Sequence, residues 1–306
     1  MSDFARGSAK ADNPQRFDSR SESAGGKVRS RGFMKKINFT KMVGAGNDFI
    51  VIDAAPGLNY KKLAMKVCDR TEGIGADGLL ILDKSAKADY KMRIINRDGS
   101  EAEMCGNGAR CVAAYIVRNK KPRKKLFTVE TLAGDICATA TGETARVQLS
   151  APTGYQPDIP LTVNDRGMRV SYIDTGVPHV IVFVDGLEGI DVAEIGRVIR
   201  HHERFEPRGT NVNFVEQVNE RLVNARTYER GVEDETKACG TGSVAVAIVA
   251  YLKANPGVSD KKAAGMNIRT ASGEILEVRF DIKEGVVSNV WLKGSARFIA
   301  RGEYYV

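Results

Sequence analysis

Two short stretches of the chain carry the same arrangement of a thiol and glycines. "MCGNGARC", residues 104 to 111, and "ACGTGS", residues 238 to 243, each place a cysteine before Gly-x-Gly, with Cys105 and Cys239 lying 134 positions apart. After each cysteine the sequence turns Ala-rich and almost wholly apolar, "ARCVAAYIVRN" and "SVAVAIVAYLK", the pattern of a helix buried on all sides. Each cysteine is therefore expected at a helix N-terminus. The unpaired N–H groups and partial positive charge there stabilise a thiolate and can lower a cysteine pKa from about 8.5 to within about 3.5 to 7.5. The same N–H groups can hold a carboxylate, and Gly106, Gly108, Gly240 and Gly242 let the backbone approach it closely. A single buried cysteine is usually an inert packing residue. Two in matched settings point to chemistry.

Such a pair has a definite use if the two helix starts face one cleft. One cysteine, as thiolate, removes the proton from one face of an amino acid's Cα; the other, as thiol, delivers a proton to the opposite face. The centre inverts, and the reverse reaction exchanges the two roles. An α-proton is far less acidic than a thiol, so the carbanion must be stabilised by something other than the base. Amides from both helices on the α-carboxylate meet that need, one such donor being worth about 3 to 4 kcal/mol in an oxyanion hole. Excluding water strengthens each of these interactions.

The elements that must position these thiols recur in one order. "GNDFIVIDA" (46 to 54) has a counterpart in "GVPHVIVFVDG" (176 to 186), and "GIGADGLLIL" (73 to 82) in "RGTNVNFVEQ" (208 to 217). "IINRDGSEAEMCGNG" and "TYERGVEDETKACGTG" come next, and then "VETLAGDICATA" (129 to 140) matches "IRTASGEILEVR" (268 to 279). This order implies a tandem duplication with a pseudo-two-fold arrangement. The β-branched runs, bounded by Gly, Asp and Asn, predict strands. The expected fold is α/β of the α+β kind, two pseudo-symmetric halves each wrapped around its own buried helix. The closing segment "WLKGSARFIARGEYYV" is expected as a last strand pairing back onto the first half. The predicted halves are 34–149 plus 290–306, and 150–289. Residues 1–33, polar and Ser/Arg/Gly-rich, are expected to be a disordered extension.

Composition narrows the partners. A chain of 306 residues suits two domains. The longest apolar stretch, "VAVAIVAYL" at 244 to 252, is too short to span a bilayer, so no membrane partner is expected. Of the net charge of +8, residues 1–33 carry +3 and "RNKKPRKK" at 118 to 125 carries +6, leaving the rest near −1. A basic loop without aromatic stacking partners reads as a solvated turn, and no nucleic acid is expected. The cysteines, Cys68, Cys105, Cys111, Cys137 and Cys239, form no CxxC pair, and with only three histidines no metal site is expected. Their odd number, without a secretory segment, fits free thiols in a cytoplasmic setting. Cys111 reads as packing, because Ala245 stands at its place in the second copy. Asp48, Asp77 and Asp98 read as turn and capping residues.

Six segments, "KMVGAGNDFIVID", "GIGADGLLIL", "NRDGSEAEMCGNGARC", "TGVPHV", "TNVNF" and "YERGVEDETKACGTG", resemble the motifs of the diaminopimelate epimerase family in the family's order. The resemblance implies two α/β halves of like topology, each a strongly curved, mainly antiparallel sheet around a central helix. It implies interconversion of LL- and meso-2,6-diaminoheptanedioate, a precursor of lysine and peptidoglycan, by a homodimer that uses no cofactor. It makes Cys105 and Cys239 the acid/base pair and gives the amides of Gly106, Asn107, Gly240 and Thr241 the reacting carboxylate. Asn47 would lie near the reacting end. Asn96, Asn211, Glu229 and Arg230 would hold the distal ammonium and carboxylate, while His179 and Glu229 would tune the thiols. Val43, Gly78 and Val177 depart from the His, Gln and Asn of many members, and "VEDET" is one residue longer than "VGET". Two alternatives share these features. A proline or hydroxyproline racemase would have no distal charged group for Asn96, Asn211 and Arg230. A non-catalytic amino-acid-binding protein would need the amides and not the thiols.

Overall fold

The structure is a computed structural model that describes residues Lys36–Val306; the extension expected over residues 1–33 lies outside the described residues. β1 (Lys36–Gly44) and β2 (Asn47–Asp53) pair antiparallel, α1 (Tyr60–Val67) crosses over, and β3 (Gly78–Asp83) returns parallel to β2. β4 (Tyr90–Asn96) runs antiparallel to β3, and the short β5 (Glu101–Ala102) folds back on β4. α2 (Gly106–Lys120) follows, then β6 (Phe127–Thr131) parallel to β4, and an antiparallel run of β7 (Gly134–Thr141) and β8 (Thr144–Gln148).

The same pairings then repeat. β9 (Thr153–Val163) leads into β10 (Arg166–Asp174), which pairs antiparallel with β11 (Pro178–Phe183); α3 (Val192–Arg200) crosses to β12 (Asn211–Asn219), parallel to β11. β13 (Leu222–Glu229), β14 (Asp234–Thr236) and α4 (Gly240–Ala254) take the places of β4, β5 and α2. β15 (Lys261–Arg269) is parallel to β13, and β16 (Ile275–Lys283) and β17 (Val286–Ser295) complete the antiparallel run. The segments that recur in the sequence occupy matching places: β2 with β11, β3 with β12, and the β6–β7 turn with the β15–β16 turn.

The closing segment is two strands rather than one. It breaks at buried Ala296, whose N–H donates to Glu143 O at 2.8 Å. Upstream of the break β17 pairs with β8, and downstream β18 (Arg297–Tyr305) pairs antiparallel with β1. β17 joins the halves by pairing with β16 on one side and β8 on the other, the latter setting Leu292 opposite Val147 and Gly294 opposite Ala145.

α2 and α4 lie inside these curved sheets, α2 against β7, β8, β1 and β2, and α4 against β15, β11 and β13. This enclosure explains their composition: from Val244 to Ala250 no residue of α4 is more than 1% exposed, and each fully buried Val or Ile there contributes about 1.5 to 3 kcal/mol. β3 is buried on both faces, from Leu79 to Leu82, because α2 covers one side and the crossover helix α1 the other. α2 breaks the apolar rule twice, at Asn107 in its first turn and at Arg110. Arg110 is wholly buried, and Gly294 makes room for it: a Cβ there would sit 3.1 Å from Arg110 Nε and 2.4 Å from Leu276.

Candidate active site

Both cysteines are helix N-caps with extended backbone, Cys105 on α2 and Cys239 on α4. Each sulfur accepts the N–H of the glycine three residues on, Gly108 at 3.4 Å and Gly242 at 3.3 Å. The two helix starts meet. A Cβ on Gly106 would lie 3.8 Å from Gly240 Cα, and one on Gly240 would lie 3.6 Å from Gly106 Cα. Leu292 from the β8–β17 seam packs against both glycines. A Cβ at either glycine would already fill the gap between the helix starts and press on Leu292 Cδ2 at 3.3 Å, so a longer side chain has little room here.

A cavity of about 450 Å³, within the range of small-molecule sites, opens beside this junction; Met104 and Cys239 line it, while Cys105, Gly106, Asn107, Gly240 and Asn47 are not among its lining residues. Cys239, Thr241, Asn211, Glu229 and Arg230 line it from the second half, beside Thr175, Gly176 and Val177. The facing wall is the β5–α2 link, the β6–β7 turn and the end of β8, including Glu103, Asp135 and Cys137. Asn211 is fixed by donating from Nδ2 to Pro178 O at 3.0 Å, and its Oδ1 accepts the Arg230 N–H at 2.9 Å. The Arg230 guanidinium donates to Arg208 O at 3.0 Å, and Glu229 accepts the Thr236 hydroxyl at 2.8 Å.

The remaining expected site residues fall into two groups. Asn107 joins the junction: its Nδ2 donates to Asn47 Oδ1 at 2.6 Å, its Oδ1 accepts from Arg110 Nη2 at 2.9 Å, and Asn47 Nδ2 donates to Asp77 at 3.0 Å. His179 stands behind Thr241, with Nε2 3.1 Å from its hydroxyl, and that hydroxyl is 3.4 Å from the Cys239 sulfur. Asn96 is not drawn into the cavity lining. It is exposed at the end of β4 and donates to Ser100 Oγ at 2.9 Å.

The electrostatics correct one expectation. Burial pushes the Cys239 thiol up to about 12 and Glu229 adds to the rise, outweighing the Thr241 and Gly242 donors. Cys105 is raised too, by burial first, against the N–H groups of Gly108 and Asn107. The helix starts do pull the thiols down, but taking a thiolate out of water costs more. Burial also raises Glu229 and drives His179 down to about 3, so its ring is neutral. Asp48 is no turn residue. It sits on β2, ion-paired with Lys41 at 2.6 Å and Arg70 at 2.8 Å, and these partners outweigh burial to hold it at about 2. Asp77 shares Arg70 at 2.7 Å and so anchors Asn47. Asp98 does brace a turn, accepting the Ser100 N–H and hydroxyl. Arg110, Asn213 and Cys137 were missed by sequence reasoning. Arg110 and Cys137 stood in quoted motifs as ordinary helix and strand residues, and only the fold turns them toward the site.

The paired halves, each a sheet around a helix with a thiol at its start, define a racemase- and epimerase-like isomerase. Solved structures of low identity share the fold: a phenazine biosynthesis protein of the PhzF family from Bacillus anthracis (TM-score 0.68, 18% identical, covering 89% of this chain and 100% of that one) and a probable proline racemase from Agrobacterium radiobacter K84 (0.64, 17%, 88% and 92%). The model of the family described as diaminopimelate epimerase matches residues 39–153 and 171–298. Diaminopimelate epimerases of Aquifex aeolicus (42% identical, covering 87% of this chain and 97% of that protein) and Caldanaerobacter subterraneus (39%, 87% and 99%) are similar over nearly their whole length. The chain belongs to the diaminopimelate epimerase family.

Proposed function

We propose that this protein interconverts LL- and meso-2,6-diaminoheptanedioate by two-base inversion at Cα, with Cys105 and Cys239 as the bases. The observation that carries this reading is the meeting of two Cys-capped helix starts beside a cavity lined by Cys239, Thr241, Asn211, Glu229 and Arg230. Amides of Gly106, Asn107, Gly240 and Thr241 hold the reacting carboxylate. One thiolate takes the Cα proton and its C–H electron pair becomes the carbanion, which takes the S–H proton of the other cysteine on the opposite face. The two sulfurs have then exchanged roles. Burial serves this chemistry: a thiolate formed in this dry site is a stronger base than one in water, which narrows its mismatch with a weakly acidic C–H. Arg230 and Asn211 receive the distal carboxylate and Glu229 the distal ammonium.

The repeated pairing order supports an origin of the two halves, 34–149 plus 290–306 and 150–289, in one duplicated unit. Family membership supports a cytoplasmic homodimer in lysine biosynthesis that acts without a cofactor; no helix among the described residues is long and apolar enough to cross a membrane.

The test is incubation with LL-diaminopimelate in deuterated water, followed by mass spectrometry and chiral separation. Deuterium at Cα in newly formed meso isomer is expected, and its absence overturns the assignment. Arg230→Ala is expected to cripple this turnover. Little loss, with inversion of proline instead, would favour the racemase alternative.

A further inference from the structure

Asn213, on β12, is wholly buried beside His179 on the parallel strand β11. Its Nδ2 donates to Val180 O at 3.0 Å. A carbonyl only accepts, so the amide cannot be turned over, and its Oδ1 takes the Thr227 hydroxyl at 3.0 Å on the other side. The second Nδ2 hydrogen meets His179 Nδ1 at 3.2 Å. The neutral ring has one proton, and with Nδ1 used as acceptor that proton is on Nε2. Nε2 then donates to the Thr241 hydroxyl at 3.1 Å, which turns its own hydrogen to the Cys239 sulfur at 3.4 Å.

We propose that Asn213 is a positioning residue: it locks His179 in the Nε2–H tautomer and thereby makes Thr241 a hydrogen-bond donor to Cys239. The proposal rests on the two-thiol reading above. The first half shows that the fold does not need polar groups at these places. Phe49 pairs with Gly78 as His179 pairs with Asn211, which sets Leu80 in the place of Asn213. The two residues also meet equivalent glycines. A Cβ at Gly108 would lie 3.0 Å from Leu80 Cδ2, and one at Gly242 would lie 2.5 Å from Asn213 Oδ1. A hydroxyl aimed at sulfur favours the thiolate, so the relay opposes, on one side of the site only, the rise that burial imposes.

Two measurements on the whole protein test this. With nitrogen-15-labelled histidine, long-range proton–nitrogen correlation spectra report which ring nitrogen of His179 bears the proton, the signal being assigned by its loss in His179→Gln. An Nε2–H ring is expected, and an Nδ1–H ring overturns the proposal. The second measurement is the rate at which iodoacetamide alkylates Cys239 as a function of pH, read by peptide mass spectrometry with Cys105 as internal control. Thr241→Val removes the hydroxyl and keeps the backbone amide. It and Asn213→Leu are each expected to slow Cys239 alkylation about 10-fold at a given pH, the size of one lost hydrogen bond to a charged group, with Cys105 unchanged. Thr241→Ser is expected to restore the rate. Glu229 and Cys105, which face the sulfur, and Arg230 beside the ring are the same in every variant. An unaltered Cys239 rate in Thr241→Val, or a loss shared equally by both thiols, overturns the proposal. Should Asn213→Leu not fold, the histidine spectrum and the Thr241 variants decide. None of these readouts needs turnover, so failure to epimerise diaminopimelate would sink the functional reading and leave the relay standing.

Discussion

Cys105 and Cys239 occupy equivalent places and are held by different neighbours. The backbone treats them alike, with the same N-cap geometry and the same glycine N–H on each sulfur. Side chains separate them. Behind Cys239 runs the chain Thr241, His179, Asn213; at the matching places behind Cys105 stand Asn107, Phe49 and Leu80. Asn107 faces the other way, drawn to Asn47 and backed by the buried guanidinium of Arg110, whose place in α4 is taken by Val244. The Arg110 charge has no carboxylate within hydrogen-bond distance and its Nε has no partner among the described residues, so it stands as a fixed positive charge under the first turn of α2. What inversion requires to be symmetric, approach to both faces of one carbon, is built into the duplicated backbone. What the duplication does not repeat is the set of side chains behind each thiol.

The largest effect expected from breaking this comparison is at the thiols. Cys105→Ala and Cys239→Ala should each lower the rate of inversion by about 10²- to 10⁴-fold, the usual worth of a positioned acid or base. With one base left, a variant can still take and return a proton on its own face. Each single variant is therefore expected to exchange deuterium into one stereoisomer without inverting it, the two variants choosing opposite isomers. A single variant that inverts at the wild-type rate, or two that label the same isomer, would break the assignment of one thiol to each face.

The next effect isolates the second half through pH. Burial lowers His179 from 6.5 to about 3, so the unfolded chain takes up a proton below pH 6.5 that the folded chain refuses. Its contribution to stability is present above pH 6.5 and is lost as the pH falls toward 3, at about 1.4 kcal/mol per pH unit. Between pH 6.5 and 4 this amounts to about 3 kcal/mol. In urea titrations the stability difference between wild type and His179→Gln should shrink by that amount over this range. A difference independent of pH would mean that the ring is not held neutral, and the two halves would then differ less than their packing indicates.

How much of this was legible beforehand depended on the range of the interaction. Local signals were readable: Gly-x-Gly after a cysteine, an apolar run too even for a surface helix, and motif order that repeats with the pairing of β2–β3 and β11–β12. Contacts set by strand register were not. Nothing in "TNVNF" distinguishes Asn211, which lines the cavity, from Asn213, which lies two residues further along the same strand and is buried against His179, until the parallel pairing with His179 is known. The closing segment read as one strand because its alternation continues across Ala296, whereas the chain changes partner there from β8 to β1. The thiols were expected to be acidified because a helix start is a local feature. The burial that outweighs it comes from the folded surroundings of each sulfur, which a linear reading does not weigh.

The smallest effect tests the comparison by a methyl group. Gly108 and Gly242 stand at the same helical position and each gives its N–H to the thiol, and alanine at either would gain up to about 1 kcal/mol of helix propensity. At Gly108 the new Cβ would meet Leu80 Cδ2 at 3.0 Å, the far end of a side chain that can rotate away. At Gly242 it would land 2.5 Å from Asn213 Oδ1 and 3.3 Å from the Cys239 sulfur. Asn213 cannot give way without releasing Val180, His179 or Thr227, all inside the fold. Gly108→Ala is therefore expected to unfold within about 0.5 kcal/mol of wild type, and Gly242→Ala to lose about 1 to 3 kcal/mol, the usual cost of overpacking. Urea titration measures both. Equal losses would mean that Asn213 yields as readily as Leu80, and a side chain that yields so easily could not hold His179 in one tautomer.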